Sequence, residues 1–187
     1  MLTWTLTKIA RTVELAALLT FRFIATGFFI TPLLSILLII VMNDVVTMTI
    51  ATDKAGVSSS PEQWNMKEIA KFSTLLGFGW IVLDFGLLLA FWKMFHMPVA
   101  QIQTLMFAYL IYSAQITIYL TRVRERFWAL APSGFVALAT GGNVILASIF
   151  SCFGILMEPV SFAFLAGTFG AVLSMALLLD EIKVRVF

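Results

Sequence analysis

The stretch ELAALLTFRFIATGFFITPLLSILLIIVMNDVV, residues 14–46, decides the architecture. With its flanks the apolar region covers residues 2–51, which as one helix would be about 75 Å long, against a bilayer core of about 30 Å. It must fold back on itself. The turn belongs at GFFITP, residues 27–32, where a glycine is followed by a proline and the residue before the proline is disfavoured from helix. Residues 2–30 and 32–51 are therefore expected as an antiparallel pair of spanning helices.

Four further spans follow, at residues 70–92, 98–120, 129–152 and 160–180, separated by KMFHMP, TRVRERFW and FGILMEP. Composition agrees: 61% of the 187 residues are hydrophobic and 12% charged, where soluble domains sit near about half apolar and about a quarter charged. The expected fold is an all-α, integral membrane six-helix bundle. It forms a single transmembrane domain over residues 1–187, without a soluble catalytic domain. Lys8 and Arg11 precede the first apolar stretch and no small-residue cleavage site follows, so that segment reads as a retained helix rather than a signal peptide.

Cytoplasmic loops collect Lys and Arg. Six spans place Lys8, Arg11, Lys54, Lys67, Lys71, Arg122, Arg124, Arg126, Lys183 and Arg185 on one side and Lys93 on the other. Both termini are accordingly expected in the cytoplasm, with residues 52–69 as a cytoplasmic loop. The small net charge of +2 has no basic block, which argues against a nucleic-acid partner. Cys152, the one cysteine, reads as a packing residue, and His96 as a solvated interfacial histidine. No phosphate-binding glycine loop, zinc-spaced ligand set or Ser/His/Asp combination is present, so no metal site and no hydrolytic chemistry are expected in this chain.

Ionisable groups within a bilayer cost several kcal/mol and need a partner or a wet cavity. Glu14, Arg22, Asp44 and Asp84 qualify. Counted from the outer turn, Asp44 lies about 20 Å deep, Glu14 about 25 Å and Arg22 about 14 Å. Asp44, after the apolar run LLSILLIIVM, is the strongest candidate for a functional group. Glu14 is either its partner in a shared carboxylate site or one half of an interfacial pair with Arg11, three residues away. Arg22 is either a positive gate or a counter-ion, and Asp84 either lines the same cavity or bonds across to a neighbouring helix. In the fourth helix Gln101, Thr104, Ala108, Tyr112, Gln115 and Tyr119 recur every three or four residues, a stripe that glues helices together or lines a path. Gly141, Gly142 and Asn143, with Gly167 and Gly170, read as close-approach packing positions.

The segment MNDVVTMTIATDKAGVSSSPEQWNMKEI, residues 42–69, resembles P-type ATPases of the plasma-membrane proton-pump class, from the sixth transmembrane helix into the following loop. QIQTLMFAYLIYSAQITIYLTRVRERFW looks like the eighth helix and basic loop of bacterial members, and LLLDEIKV matches the end of the last helix. The resemblance implies that the six helices correspond to transmembrane helices five to ten. It also implies that Asp44 is the ion-binding carboxylate, with Asn43 its neighbour and Asp53 the aspartate ending the helix. Supporting roles are open to Glu14, Arg22, Asp84 and Gln115. The family's arginine opposite the carboxylate falls at or next to Glu14, which departs from the pattern.

The family's first four helices and its actuator, phosphorylation and nucleotide domains have no counterpart in the sequence. The expectation is a C-terminal fragment or one half of a split pump, in a bacterial or archaeal plasma membrane. It would hold no cofactor of its own, since ATP and Mg would bind the other domains. Its partners would be the lipid bilayer, an N-terminal half carrying those domains, and protons or another monovalent cation. A non-enzymatic six-helix scaffold is the alternative.

Overall fold

The computed structural model describes residues 2–27, 31–53, 66–123 and 125–186, and these form six helices without a strand. They are α1 (Leu2–Thr26), α2 (Leu33–Thr49), α3 (Met66–Leu89), α4 (Val99–Arg122), α5 (Gly134–Phe153) and α6 (Phe162–Val186). Lys54, Arg124, most of the expected loop 52–69 and the turn residues 28–30 lie outside the described residues. Among the described residues, α4, α5, most of α6 and the segment Ala70–Met94 are long and apolar enough to cross a bilayer. At 17 residues α2 is about 25 Å long, and a 3-10 turn, Ile50–Thr52, extends it. The 25 residues of α1 carry four ionisable side chains on or near its buried face.

Local chemistry sets the helix ends. α1 stops at Thr26, four residues before the expected limit, because Gly27 adopts φ +73° and its N–H closes onto the Phe23 carbonyl at 2.8 Å. Pro32 and Pro98, both with extended ψ, open α2 and α4. α5 begins at Gly134 rather than 129, since Pro132 lies in the intervening stretch and Ser133 is the N-cap, its Oγ accepting from the Val136 N–H at 3.3 Å. α6 runs on past residue 180: Asp180 and Lys183, the charges expected to end the span, pair with each other at 2.6 Å and are buried. α3 begins at Met66 instead of 70, and its last turn widens into a π turn, Ala90–Met94.

α4 is the axle of the bundle. Eighteen of its 24 residues are buried, and it touches all five other helices, so it has no lipid face. Leu105, Met106, Phe107 and Tyr109 fill the core with Leu18, Trp80 and Leu179. The surrounding helices turn apolar side chains outward, among them Ile24, Leu138 and Phe162, each more than 70% exposed. Apolar faces of this kind suit lipid or a further apolar helix.

The stripe on α4 reaches in several directions. Thr104 donates to the Glu158 carbonyl at 2.8 Å, Tyr112 bonds Ser148 at 2.6 Å, Gln115 donates to Asn43 at 2.9 Å and Tyr119 bonds Thr140 at 2.6 Å. Tyr109, off the stripe, donates to the Trp80 carbonyl at 2.6 Å. Interhelical bonds of this kind contribute about 0.6–2 kcal/mol each in a membrane. α1 and α2, adjacent in sequence, differ from the expected close pair. α1 packs on α3 and α4, α2 packs on α4 and α5, and the two make little backbone contact with one another.

The glycines also depart from expectation. A Cβ placed on Gly141, Gly142, Gly167 or Gly170 would meet nothing within 4 Å, so none of the four brings helices together. The close approach is at Gly79 on α3, where a Cβ would lie 2.5 Å from Leu179 Cδ2 of α6. Gly79→Val should therefore lower stability by about 1–3 kcal/mol, the usual cost of overpacking. Gly141→Ala should be neutral or raise it by about 0.5–1 kcal/mol through helix propensity. Thermal unfolding of both variants in detergent checks this, and equal effects would contradict the assignment of the contact to Gly79.

Candidate functional site

One helical face of α1 is inverted relative to a lipid-facing helix. Thr7, Arg11, Glu14, Leu18 and Arg22, spaced by three or four, are buried, while Ile9, Val13, Phe21, Phe23 and Ile24 face outward. Charges at these positions are tolerated only because each meets a partner inside the bundle. Thr7 bonds Thr121 of α4 at 2.9 Å. Arg11 donates to Glu14 at 2.6 Å, to Ser113 Oγ at 3.0 Å and to the Leu110 carbonyl at 2.8 Å. Ser113 in turn donates to the second oxygen of Glu14 at 3.2 Å.

At the other end of the same face, Arg22 makes a two-pronged ion pair with Asp84 of α3. Its Nε donates to Asp84 Oδ2 at 2.8 Å and its Nη2 to Oδ1. Its Nη1 donates to Thr31 at 2.9 Å, which ties the start of the second helix to the first. Both members of the pair are fully buried. Asp84 thus bonds across to a neighbouring helix and Arg22 is its counter-ion.

Because α1 and α2 splay, a cavity of about 250 Å³ opens between them and α4. Lys8, Arg11, Asn43, Asp44, Thr47 and Ala114 are among its walls. Asp44 is half-exposed, with 49% of its side chain accessible, and its carboxylate takes the Lys8 ammonium at 2.5 Å. The exposed part of the carboxylate opens onto this cavity. Asn43, next to it, also lines the cavity and accepts from Gln115 at 2.9 Å.

The structure thus groups the candidates differently from the sequence reading. Asp44 and Asn43 share one cavity with Lys8 and Arg11. Glu14 does not join Asp44, being held behind the cavity wall by Arg11 and Ser113, and Arg22 and Asp84 form a separate pair. Lys8 is the residue the sequence reading missed as a partner of Asp44. The signal lies in the spacing: Lys8, Arg11 and Leu15 follow one stripe of α1, although Lys8 by itself reads as a loop-side charge.

Asp53, which ends the second helical segment, clasps the far end of the bundle. It accepts from Arg122 Nε at 2.5 Å and Nη2 at 3.0 Å and from the Ser133 N–H at 3.1 Å. It therefore fastens α2 to the end of α4 and the start of α5. Among the described residues no group of three or more His, Cys, Asp or Glu side chains is placed to hold a metal ion.

Comparison with known proteins gives the same region a context. No family model matches the chain. It is 29% identical over 154 residues, 82% of its length, to a putative cation-transporting ATPase of Methanocaldococcus jannaschii. It is 32% identical over 125 residues, 64% of its length, to plasma membrane ATPases 1 and 2 of Saccharomyces cerevisiae. The chain spans 19% of the first relative and 13% of each of the others.

Removing one member of a buried ion pair leaves an uncompensated charge and costs about 3–5 kcal/mol. Arg22→Met or Asp84→Leu alone should destabilise the bundle by that much. The double variant should recover most of the loss, because neither charge is then orphaned. A double-mutant cycle by unfolding in detergent measures it, and additive losses would show that the two side chains are not coupled.

Proposed function

We propose that this chain is a membrane region of a P-type cation-transporting ATPase, that Asp44 is its ion-binding carboxylate, and that the ion is a proton. The observation that carries the reading is Asp44 itself. It is the one charged residue of α2, facing a cavity of about 250 Å³ and paired with a single ammonium. The relatedness to cation-transporting and plasma membrane ATPases supports the class of function. The distribution of Lys and Arg supports cytoplasmic termini, and in this reading the membrane is the plasma membrane of a bacterium or archaeon.

Lys8 supplies the counter-charge that the sequence reading sought at Arg22 or near Glu14. A proton arriving at Asp44 neutralises the carboxylate and removes its attraction for the ammonium, which frees Lys8 to move. Once Asp44 has given up its proton, the Lys8–Asp44 ion pair re-forms. Alternating access of the cavity to the two sides requires work, which in this reading comes from ATP hydrolysed by domains outside this chain. Those domains would bind ATP and Mg, and the chain alone would not turn ATP over. Glu14 is sequestered by Arg11 and Ser113 and adds no free carboxylate to the cavity.

The test is transport. The chain is reconstituted in vesicles with a P-type ATPase polypeptide carrying the nucleotide and phosphorylation domains, and ATP-driven acidification is compared with sodium and potassium flux. Proton transport should fall at least about tenfold in Asp44→Asn, equivalent to about 1.4 kcal/mol or more of lost stabilisation. Unchanged transport in that variant would overturn the assignment of Asp44. Flux of a metal cation in place of protons would overturn the choice of ion, and no flux with any ion in the wild-type pair would favour the scaffold reading.

A further inference from the structure

The contact between α4 and α5 is a ladder of hydroxyl bonds with its middle rung unaccounted for. Tyr119 of α4 bonds Thr140 of α5, and Tyr112 of α4 bonds Ser148 of α5, each at 2.6 Å. Numbers rising on α4 while falling on α5 make the two helices antiparallel. That register sets Gln115 opposite Asn143, midway between the two rungs. Both side chains are buried, at 2% and 5% exposure.

They do not bond one another. Gln115 Nε2 donates to Asn43 Oδ1 of α2 at 2.9 Å, and Asn143 Nδ2 reaches the Met42 carbonyl of α2 at 3.5 Å. Gln115 Oε1 is buried with no hydrogen-bond partner among the described residues. A buried amide carbonyl without a donor is costly, and buried water characteristically satisfies such groups, making about three hydrogen bonds to them. Here three amides from three helices converge on one place, so the surroundings are polar enough to retain a water.

We propose that Asn43, Gln115 and Asn143 hold one buried water molecule as the middle rung of this ladder. The water donates to Gln115 Oε1, and Asn143, from across the seam, offers it a second amide. Asn43 lines the Asp44 cavity and bonds Gln115, so it joins that cavity to the water. The site therefore lies one hydrogen bond, Gln115 to Asn43, behind the wall of the Asp44 cavity, in the seam between α2, α4 and α5. A metal cation fits it less well, because all three side chains are neutral and no carboxylate joins them. The site goes beyond the assignment of Asp44 and holds whether or not Asp44 binds an ion.

Radiolytic hydroxyl footprinting of the purified chain in lipid nanodiscs tests it, because radicals formed at a bound water oxidise the side chains beside it. Met42 is the reporter, since its carbonyl accepts from Asn143 and its side chain is half-buried. Met106, fully buried with its sulfur accepting from Arg22 at 3.4 Å, is the control away from the proposed site. The wild-type chain should label at Met42 and not at Met106. The Met42 label should be lost in Gln115→Leu and at least halved in Asn143→Ala, with helical content by circular dichroism confirming that the variants fold. Asp44→Asn should keep the label, which separates this proposal from the reading of Asp44. No Met42 label in the wild type, or an equal label in wild type and both variants, would overturn the water site.

Discussion

The arrangement depends on α4 having no contact with lipid. A helix enclosed by five others cannot rely on lipid for any of its faces, and each polar group it carries must find a partner on a neighbour. Its side chains therefore become fasteners. Tyr109 holds α3, Tyr112 and Tyr119 hold α5, Gln115 holds α2, and Ser113 holds the Arg11–Glu14 pair of α1. Lys183 of α6 adds a bond to the Leu120 carbonyl near the end of the axle. One enclosed helix thus sets the position of the rest.

α1 shows the same constraint from the other side. Its buried face carries two guanidinium groups and a carboxylate, and these are stable only against polar partners on α3 and α4. α2 is apolar along most of its length, with Ser35 near its start and Asn43, Asp44, Thr47 and Thr49 in its second half. Its partners are α4 and α5, so the two helices of the hairpin diverge and leave the cavity between them. Lys8 is left as the partner of Asp44 because Arg11 is engaged by Glu14, Ser113 and the Leu110 carbonyl.

Much of the fold was legible from residue order. The fold-back near Gly27 and Pro32 follows from an apolar stretch too long for one span, and the six helices follow from it. The limits of the helices were less legible where charges occur. Asp180 reads as the end of a span, yet Lys183 one turn later neutralises it and the helix continues to Val186. Glycines are ambiguous for a related reason. A glycine facing open space and a glycine beside another helix look alike in sequence, and only the packing distinguishes Gly167 and Gly170 from Gly79.

The amino-acid sequence by itself determined a membrane-embedded helical bundle, the reversal between its first two helices, and the exceptional position of Asp44. These follow from segment length, local hydropathy and backbone chemistry, which act over a few residues. Only the tertiary structure decided which charges meet. Lys8 takes Asp44 across 36 residues, Arg22 takes Asp84 across 62, and Gln115 takes Asn43 across 72. Such pairings depend on how each helix is rotated and tilted against its neighbours. That rotation is set by the burial of whole faces, which no single stretch of sequence contains.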